Sequence, residues 1–216
     1  MKKSILALGI AASLFTGIAN AHEAGSVHVR LGGVFVDANS TSETKTPYAD
    51  INLNVNNNAQ VGLTATYMFT DNIGLELLGA TPFTHKVSAG VVGLGNLGEV
   101  VKVKQLPPSL YLQYYFLDKD AGSRPYIGAG LNYTRFFNAK STNSLITNVS
   151  VDKHSFAPVI NAGIDIKLTD NIYLNTALWY TRIKTTAKFN TAPNVRHEVE
   201  IKLDPVVYFA GLTYSF

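Results

Sequence analysis

Apolar and polar residues alternate along most of this chain, most plainly over its last residues. From Tyr208 to Phe216 every even-numbered residue is apolar or aromatic, whereas Gly211, Thr213 and Ser215 occupy odd positions. A period of two is typical of a β-strand and not of a helix. The strand fits either a soluble β-sandwich or a membrane barrel whose outer face meets lipid.

Seven further segments alternate in the same way and are separated by turn or loop sequences. They cover residues 26–37, 61–69, 73–80, 100–117, 124–137, 156–168 and 172–188. The clearest of them, 156–168, is apolar at every even position and carries Asn161 and Asp165 on the opposite face. With the closing segment, 199–216, the pattern predicts eight strands.

The connections between these strands alternate between long and short. Three long ones, residues 38–58, 84–99 and 138–154, are polar or glycine-rich and are predicted as loops, and a fourth polar loop precedes the closing strand. Short ones include Thr70-Asp71-Asn72, where Asp and Asn favour a tight turn. Within the first long loop, the alternation of residues 51–55 indicates a strand extension above the membrane.

This order of long and short connections indicates a particular fold. Outer-membrane barrels have short periplasmic turns and long external loops. We therefore predict an all-β fold, an eight-stranded antiparallel up-and-down transmembrane β-barrel with both termini in the periplasm. A soluble barrel would carry apolar residues inside, whereas Gly, Thr and Asn fill much of the inward face here.

The N-terminus has the three parts of a secretory signal peptide. A basic start precedes the apolar residues 5–18, and Ala19-Asn20-Ala21 is a small-residue cleavage site. The apolar stretch is too short for a membrane-spanning helix. We predict a signal peptide at residues 1–21, cleaved after Ala21, and a single barrel domain at residues 22–216.

Composition narrows the function further. The chain has no cysteine, which excludes disulfides, zinc–thiolate sites and a thiol nucleophile. Without Lys2 and Lys3, 16 basic residues (18 − 2) oppose 15 acidic ones, and no basic stripe remains, so we predict no nucleic-acid partner. An exported chain with few charged and many aromatic residues is typical of the Gram-negative outer membrane, whose lipids are its expected partners.

No motif indicates catalysis, a cofactor or a metal. None of the five histidines lies in a G-x-S-x-G or H-E-x-x-H context, so we predict no enzyme, no catalytic residue, no cofactor and no metal site. His85, His154 and His197 fall in predicted external loops, where a weak metal site is the rarer alternative to solvated side chains. Residues 93–98 match G-x-G-x-x-G, but a strand-like segment and not a helix follows them.

Five titratable residues point into the predicted barrel by the parity of their strands: His28, Arg30, Glu76, Asp165 and Lys167. Buried charges must pair. The commoner outcome is an interior polar network of ion pairs that fixes the barrel. The functional alternative is a polar floor that blocks ions and water below an apolar funnel.

Prolines interrupt two neighbouring predicted strands at a similar height. Pro82 lies in the third strand, and Pro107 and Pro108 lie in the fourth. Proline cannot donate a hydrogen bond to a ladder. The interruption is either the rim where regular pairing ends or a lateral opening through which an apolar solute leaves the lumen for the bilayer.

The closing strand changes its pattern at Asp204-Pro205. Ile201 and Leu203 are apolar at odd positions above this point, whereas Leu212 is apolar at an even position below it. Either a bulge re-aims the strand there, or its upper half stands clear of the hydrocarbon. The chain ends on Phe216, which we expect the barrel assembly machinery to recognise.

Stretches distributed over the predicted mature chain resemble the OmpW family of small outer-membrane barrels. They are HEAG at 22–25, QVGLTATYMFTDNIGLELLGATPFTHKV at 60–87, LPPSL at 106–110, RPYIGAGLNYTRFF at 124–137, NTALWYTRIKTTA at 175–187 and KLDP at 202–205. The stretch at 60–87 is the most specific. The predicted external loops carry little resemblance.

The resemblance implies an eight-stranded barrel with a narrow apolar lumen that passes small hydrophobic molecules across the outer membrane. Leu78 and Trp179 fall at the family's positions for an apolar constriction, and strand parity also directs both inward. An eight-stranded barrel is only just wide enough to be filled by side chains, so such residues form either a hydrophobic conduit or a plug. The alternative function is a non-conducting structural or receptor barrel that acts through its external loops.

Overall fold

A computed structural model describes residues 22–46, 50–92, 95–192 and 195–216. The regular structure in these ranges is β-strand, as the alternation predicts. Within them, no helix is long and apolar enough to cross a membrane. The predicted signal peptide, residues 1–21, lies outside the described residues, so it stays a prediction.

The strands follow one another along the described chain with short connections. They are β1 (Val27–Asp37), β2 (Ser40–Thr44), β3 (Ile51–Val55), β4 (Asn58–Met68), β5 (Ile73–Ala80), β6 (Phe83–Val91), β7 (Gly95–Leu106), β8 (Ser109–Tyr115), β9 (Ser123–Ser141), β10 (Thr147–Val151), β11 (His154–Lys167), β12 (Ile172–Thr181), β13 (Ile183–Ala192), β14 (Val195–Leu203) and β15 (Val206–Ser215).

Eight of these strands close into a ring, which we call the lower barrel. Their order around the wall is β11-β12-β15-β1-β4-β5-β8-β9, and β9 pairs with β11 to complete it. Every neighbouring pair is antiparallel. The predicted eight-stranded antiparallel barrel is confirmed.

The outward face of the lower barrel is apolar. Leu31, Leu63, Leu112 and Ile160 are each more than half exposed. Aromatic side chains border this band at both edges: Tyr67, Phe69, Tyr114, Phe116 and Tyr214 at the end that holds residues 22 and 216, and Phe35, Tyr133, Phe156 and Tyr208 at the other. An apolar band between two aromatic girdles is the surface of a barrel that spans a bilayer.

Above the lower barrel, the other strands form what we call the upper extension. It consists of two four-stranded sheets, β3-β6-β7-β9 and β10-β13-β14-β2, and β9 runs into it from the lower barrel. Residues 51–55 form β3, as predicted. The sheets meet at β2 and β3, where β2 hydroxyls accept hydrogen bonds from β3 backbone N–H groups: Ser40 from Val55, Ser42 from Leu53 and Thr44 from Ile51.

The prediction of long loops is wrong for most of their length. Residues 84–99 contribute to a β6–β7 hairpin, residues 138–154 contain the end of β9 and all of β10, and the last predicted loop is a β13–β14 hairpin. The β6–β7 hairpin has register shifts, and Gly98 in it has a φ of 69°. Glycine favours such positive-φ positions, so a bulged strand has a composition that resembles a loop.

The upper extension has an apolar interior and a polar surface, the reverse of the lower barrel. Val87, Val100, Phe189 and Val199 belong to its buried core. This is the arrangement of a β-protein surrounded by water, in which burial of apolar area drives folding.

This reversal explains the closing strand. Odd-numbered residues face inward on both sides of Pro205: Ile201 and Leu203 are buried above it, and Phe209 and Thr213 are buried below it. The direction of the side chains is therefore continuous, and the apparent slip of parity is a change in which face is apolar. Of the two predicted explanations, the upper half outside the hydrocarbon is the one the structure supports.

Candidate functional site

A buried arginine lies at the centre of the lower barrel. The Arg30 guanidinium donates hydrogen bonds to Thr66 Oγ1 (2.6 Å), Asp165 Oδ2 (2.8 Å) and the Tyr115 hydroxyl (2.8 Å), and it forms an ion pair with Glu76. Arg30 and both carboxylates are at most 1% exposed. Buried ions are tolerated where each is paired and hydrogen-bonded, and that condition holds here.

Further polar side chains complete the two carboxylates' hydrogen bonds. Gln113 Nε2 donates to Glu76 Oε1 (3.1 Å), and Asn175 Nδ2 donates to Asp165 Oδ1 (2.8 Å) and to the Tyr126 hydroxyl (3.0 Å). Each of the eight lower-barrel strands contributes to this layer, which we call the polar floor: Arg30, Thr64, Thr66, Glu76, Gln113, Tyr115, Tyr126, Asp165, Asn175 and Thr213. The polar floor therefore crosses the whole lumen.

Strand parity identified part of the polar floor. Arg30, Glu76 and Asp165 meet as predicted, and His28 is buried beside them. The prediction for Lys167 is wrong: its side chain is 37% exposed and pairs with Asp170 (3.0 Å). Lys167 is the last residue of β11, so its side chain reaches the barrel mouth, because parity gives direction but not depth.

Several polar-floor residues were missed because they are uncharged. Gln113, Tyr115, Tyr126 and Asn175 all lie at inward positions of their strands, and that parity was the available signal. Their hydrogen bonds to Glu76 and Asp165 depend on strand register across the barrel, which the sequence pattern alone does not give.

The end of the barrel that holds the termini is closed beneath the polar floor. The His22 ring lies 4.2 Å from that of His28 and 4.7 Å from that of Tyr173, measured between centroids, and its Nε2 is 3.7 Å from Asp165 Oδ2. The buried guanidinium of Arg124 donates to the backbone carbonyls of His22 (3.3 Å), Asp71 (2.8 Å) and Leu117 (3.1 Å). These contacts hold the N-terminal residues and two turns across the mouth.

The terminal residue is part of the wall. The Phe216 N–H donates to the Val27 carbonyl (2.9 Å), and the Val27 N–H donates back to the Phe216 carbonyl (3.2 Å). The Phe216 ring packs edge-on against Tyr214. Recognition of Phe216 by the barrel assembly machinery stays a prediction.

Above the polar floor is a small, mostly apolar cavity, which we call the chamber. Its volume is about 40 Å³, and its walls include Val34, Leu78, Tyr111 and Trp179. Leu78 and Trp179 are 8% and 2% exposed, so both point inward as predicted. The Trp179 ring packs edge-on against Phe209, with centroids 5.8 Å apart.

The chamber also presents unpaired polar atoms. The Trp179 indole N–H and the Gln105 side-chain oxygen are buried without a hydrogen-bond partner among the described residues. Both residues line the chamber. An unpaired buried donor or acceptor is costly, so a molecule that entered the chamber and paired with either atom would relieve that cost.

The wall of the barrel lacks backbone pairing beside the chamber. The β5–β8 ladder ends at Leu78 with Ser109, and the β6–β7 ladder begins at Phe83 with Gln105. Between these points no described ladder pair joins residues 79–82 to residues 106–108, although Gly79, Ala80 and Leu106 pair with the strands on their other sides. We call this interruption the lateral gap.

The three predicted prolines lie in the lateral gap. Pro107 lines the chamber, Pro82 is exposed at the outer surface, and Pro108 is half-buried. Since proline has no N–H to donate, a ladder cannot form regularly here. The neighbouring strands remain attached: the Tyr133 N–H donates to the Pro108 carbonyl (3.0 Å), and the Thr81 N–H donates to the Val61 carbonyl (3.2 Å).

The three histidines considered for a metal site have separate partners. Each makes a hydrogen bond to a different residue: His85 Nδ1 with the Asn56 carbonyl (3.0 Å), His154 Nδ1 with the Tyr133 hydroxyl (2.6 Å) and His197 Nε2 with Thr191 Oγ1 (2.9 Å). In the part of the chain that the structure describes, no group of three or more His, Cys, Asp or Glu residues is placed to hold a metal ion. The absence of enzymatic activity stays a prediction.

The sequence and the fold are similar to those of known outer-membrane proteins. The family model described as OmpW family matches residues 23–216. Outer membrane protein W of Vibrio cholerae is 39% identical over 220 residues, and that of Escherichia coli is 37% identical over 224 residues; each alignment covers 100% of both chains. The crystal structure of outer membrane protein OprG from Pseudomonas aeruginosa superposes with a TM-score of 0.84 at 35% identity, covering 91% of this chain and 98% of that one.

Proposed function

The chain belongs to the OmpW family of outer-membrane proteins, and on that premise we propose that it passes small hydrophobic molecules into the outer membrane. The solute enters the chamber from the side of the upper extension and leaves through the lateral gap into the bilayer. The chain termini and the polar floor face the periplasm, and the upper extension stands outside the cell.

One observation carries the proposal: the lateral gap opens beside the chamber, directly above a floor that is closed. Passage straight through the barrel would separate Arg30 from Glu76 and Asp165, and an uncompensated buried charge costs about 3–5 kcal/mol. Passage through the lateral gap breaks no ladder hydrogen bond, since residues 79–82 and 106–108 make none with one another. The lateral route therefore has the lower barrier.

The chamber must widen during passage. Its volume of about 40 Å³ has room for little more than a water molecule or two, whereas small-molecule sites commonly measure about 300–1,000 Å³. Leu78 and Trp179 are two of the large side chains that line the chamber, with Phe83 and Tyr111, and in this proposal their movement widens it. The unpaired Trp179 N–H and Gln105 oxygen favour a mostly apolar solute with one polar group.

Shortening Trp179 tests the proposal. Cells that express Trp179→Ala should take up the apolar fluorescent probe N-phenyl-1-naphthylamine severalfold faster than cells with the natural protein. Leu178→Ala is the matched control, because Leu178 is the neighbouring residue on β12 and faces outward, 47% exposed. It should leave uptake unchanged. Equal uptake by Trp179→Ala and the natural protein, at equal amounts of folded barrel, would contradict the proposed route.

The alternative function, a non-conducting structural or receptor barrel, has support in the same residues. The polar floor fills the lumen, and Trp179 packs on Tyr111 and Phe209 as a core residue would. In that case Trp179→Ala lowers stability, by about 3–5 kcal/mol for a truncated core tryptophan, and leaves uptake unchanged. Uptake and unfolding measured on the same variant therefore separate the two functions.

A further inference from the structure

A groove lies in the wall of the upper extension, between β9 and β10. Its volume is about 340 Å³, and its lining includes Arg135, Phe137, Val149, Ser150, Val151 and Lys153. We call it the β9–β10 groove. The transport route does not use it, because it shares no lining residue with the chamber.

The groove exists because β9 loses its partner as it leaves the lower barrel. β9 pairs with β11 up to Arg135 with His154, and the Phe136 N–H still donates to the Lys153 carbonyl (2.8 Å). Above this point, no ladder between β9 and β10 is found among the described residues. At the same height β9 has a bulge at Asn138, whose φ is 53°, and the register of the β7–β9 ladder shifts there.

The lining of the groove includes two cations and no carboxylate, although the exposed Asp152 lies between two lining residues in the chain. Arg135 and Lys153 are exposed, and neither has an ion pair among the described residues. Lys104 lies beside Phe137 across the β7–β9 ladder and adds a third such cation. The carboxylate of Glu99, also on β7, is already paired with Lys86 and Lys102.

The height of the groove above the membrane is set by two aromatic residues. The Tyr133 and Phe156 rings pack 4.8 Å apart at the upper edge of the apolar band. Arg135 is the next outward residue on β9 after Tyr133, about 7 Å further along the strand and about 5 Å higher at the usual tilt of barrel strands. This height and the length of the side chain take the guanidinium out of the hydrocarbon and into the layer of lipid headgroups.

We propose that the β9–β10 groove binds the phosphate of a phosphorylated glycolipid in the outer leaflet of the membrane. Arg135 and Lys153 donate to the phosphate oxygens, as guanidinium and ammonium groups do in charge-assisted pairs. Phe137, Val149 and Val151 contact the less polar faces of the sugar and the start of its acyl chains. The position at headgroup height and this apolar wall favour a lipid over a free anion. The inference rests on the proposed orientation, with the upper extension outside the cell.

Binding by the purified full barrel in phosphatidylcholine nanodiscs tests the inference. The probe is a diphosphorylated, acylated glucosamine disaccharide, compared with its dephosphorylated form. We expect Arg135→Gln/Lys153→Gln to bind the phosphorylated probe about tenfold more weakly than the natural protein, with a smaller difference at high salt. The double variant Lys184→Gln/Arg196→Gln is the control, because it removes two other cations, on β13 and β14, and should bind normally.

Three results would overturn the inference. They are equal affinity of the natural protein and Arg135→Gln/Lys153→Gln, equal affinity for the phosphorylated and dephosphorylated probes, and equal affinity for the lipid probe and inorganic pyrophosphate. The last would make the groove a general anion site. Both faces of a nanodisc are open to the solution, so this binding measurement does not depend on solute uptake. A failure of the lipid-binding inference can therefore be distinguished from a failure of the proposed transport route.

Discussion

Arg30 and Asp165 are hydrogen-bonded across the lumen, with Nη2 2.8 Å from Oδ2 and Nε 3.4 Å from Oδ1. Their strands, β1 and β11, are separated in the wall by β12 and β15, so the pair joins opposite parts of the barrel. Because both side chains are buried, the pair has little competition from water. It crosses the lumen, and loss of either side chain would leave the other charge buried and incompletely paired.

Asp165→Asn should therefore both destabilise the barrel and make it leak ions. The substitution keeps the shape of the side chain but removes one of the two charges that compensate Arg30, at a cost of about 3 kcal/mol. Denaturant unfolding in micelles measures the stability, and conductance in planar bilayers measures the leak. Lys167→Gln is the control, because an exposed ion pair contributes about 0–1 kcal/mol. Equal stability of the two variants would show that the cross-lumen pair is not what holds the polar floor together.

Replacing the prolines of the lateral gap should close it. In Pro107→Val/Pro108→Thr the new N–H of residue 107 becomes available to the strand that contains residues 79–82, and that of residue 108 faces Tyr133 on β9, whose N–H already bonds the residue 108 carbonyl. We expect slower uptake of the apolar probe by at least severalfold, and slower hydrogen exchange at residues 79–82. Pro158→Val is the control, since Pro158 is exposed on β11 and pairs with Leu131 away from the gap. Unchanged uptake by the folded double variant would argue that the prolines only end regular pairing.

Gly130→Ala should destabilise the barrel, whereas Gly33→Ala should not. A Cβ at Gly130 would lie 1.8 Å from the backbone oxygen of Leu110, so β8 and β9 would have to separate. A Cβ at Gly33 would have no atom within 4 Å. Overpacking of this kind costs about 1–3 kcal/mol, measured as the difference in unfolding free energy between the two variants. Equal unfolding free energies of the two variants would mean that β8 and β9 can move apart at Gly130 at little cost.

The upper extension should lose stability in acid because of His85. The side chain is buried, its Nδ1 lies 3.0 Å from the Asn56 carbonyl, and its Nε2 has no partner among the described residues. Burial lowers the pKa of His85, and the hydrogen bond to Asn56 opposes this only in part. Below the unfolded pKa of about 6.5, the unfolded state binds a proton that the folded state refuses, so stability falls as the pH decreases.

This loss has a local measurement. Hydrogen exchange in β6, corrected for the intrinsic effect of pH, should report an opening free energy that falls below pH 6.5 by up to about 1.4 kcal/mol per pH unit. His85→Gln removes the titrating group and should flatten this dependence. A variant whose β6 shows the same pH dependence as the natural protein would assign the effect to another residue.

Much of the lower barrel could be predicted from the sequence. The inward direction of Arg30, Glu76, Leu78 and Trp179 follows from alternation, because successive side chains of a strand point to opposite faces. Lys167 has the same parity as Asp165 but lies two residues further along β11, at the mouth of the barrel, where its side chain is exposed and pairs with Asp170. A period of two gives the side to which a residue points but not its height along the barrel axis.

The upper extension was harder to predict, for a related reason. Its strands alternate too, but their apolar residues point inward and their outward residues are polar. A search for strands with an apolar outer face therefore takes them for polar loops. Glycines at bulges, such as Gly98, add to the resemblance. The seam between β2 and β3 is also invisible in sequence, because Ser40 and Ser42 replace a ladder with side-chain hydrogen bonds.

The sequence by itself determined the class of the fold, the number of barrel strands and the side to which each residue points. Only the tertiary structure decided what lies on that side: the exposed apolar band that contains Leu212, the polar floor around Arg30, and the packed core around Ile201. The physical reason is that a period of two records direction alone. The environment at a given height depends on which strands are neighbours and in what register, and contacts between residues far apart in the chain set both.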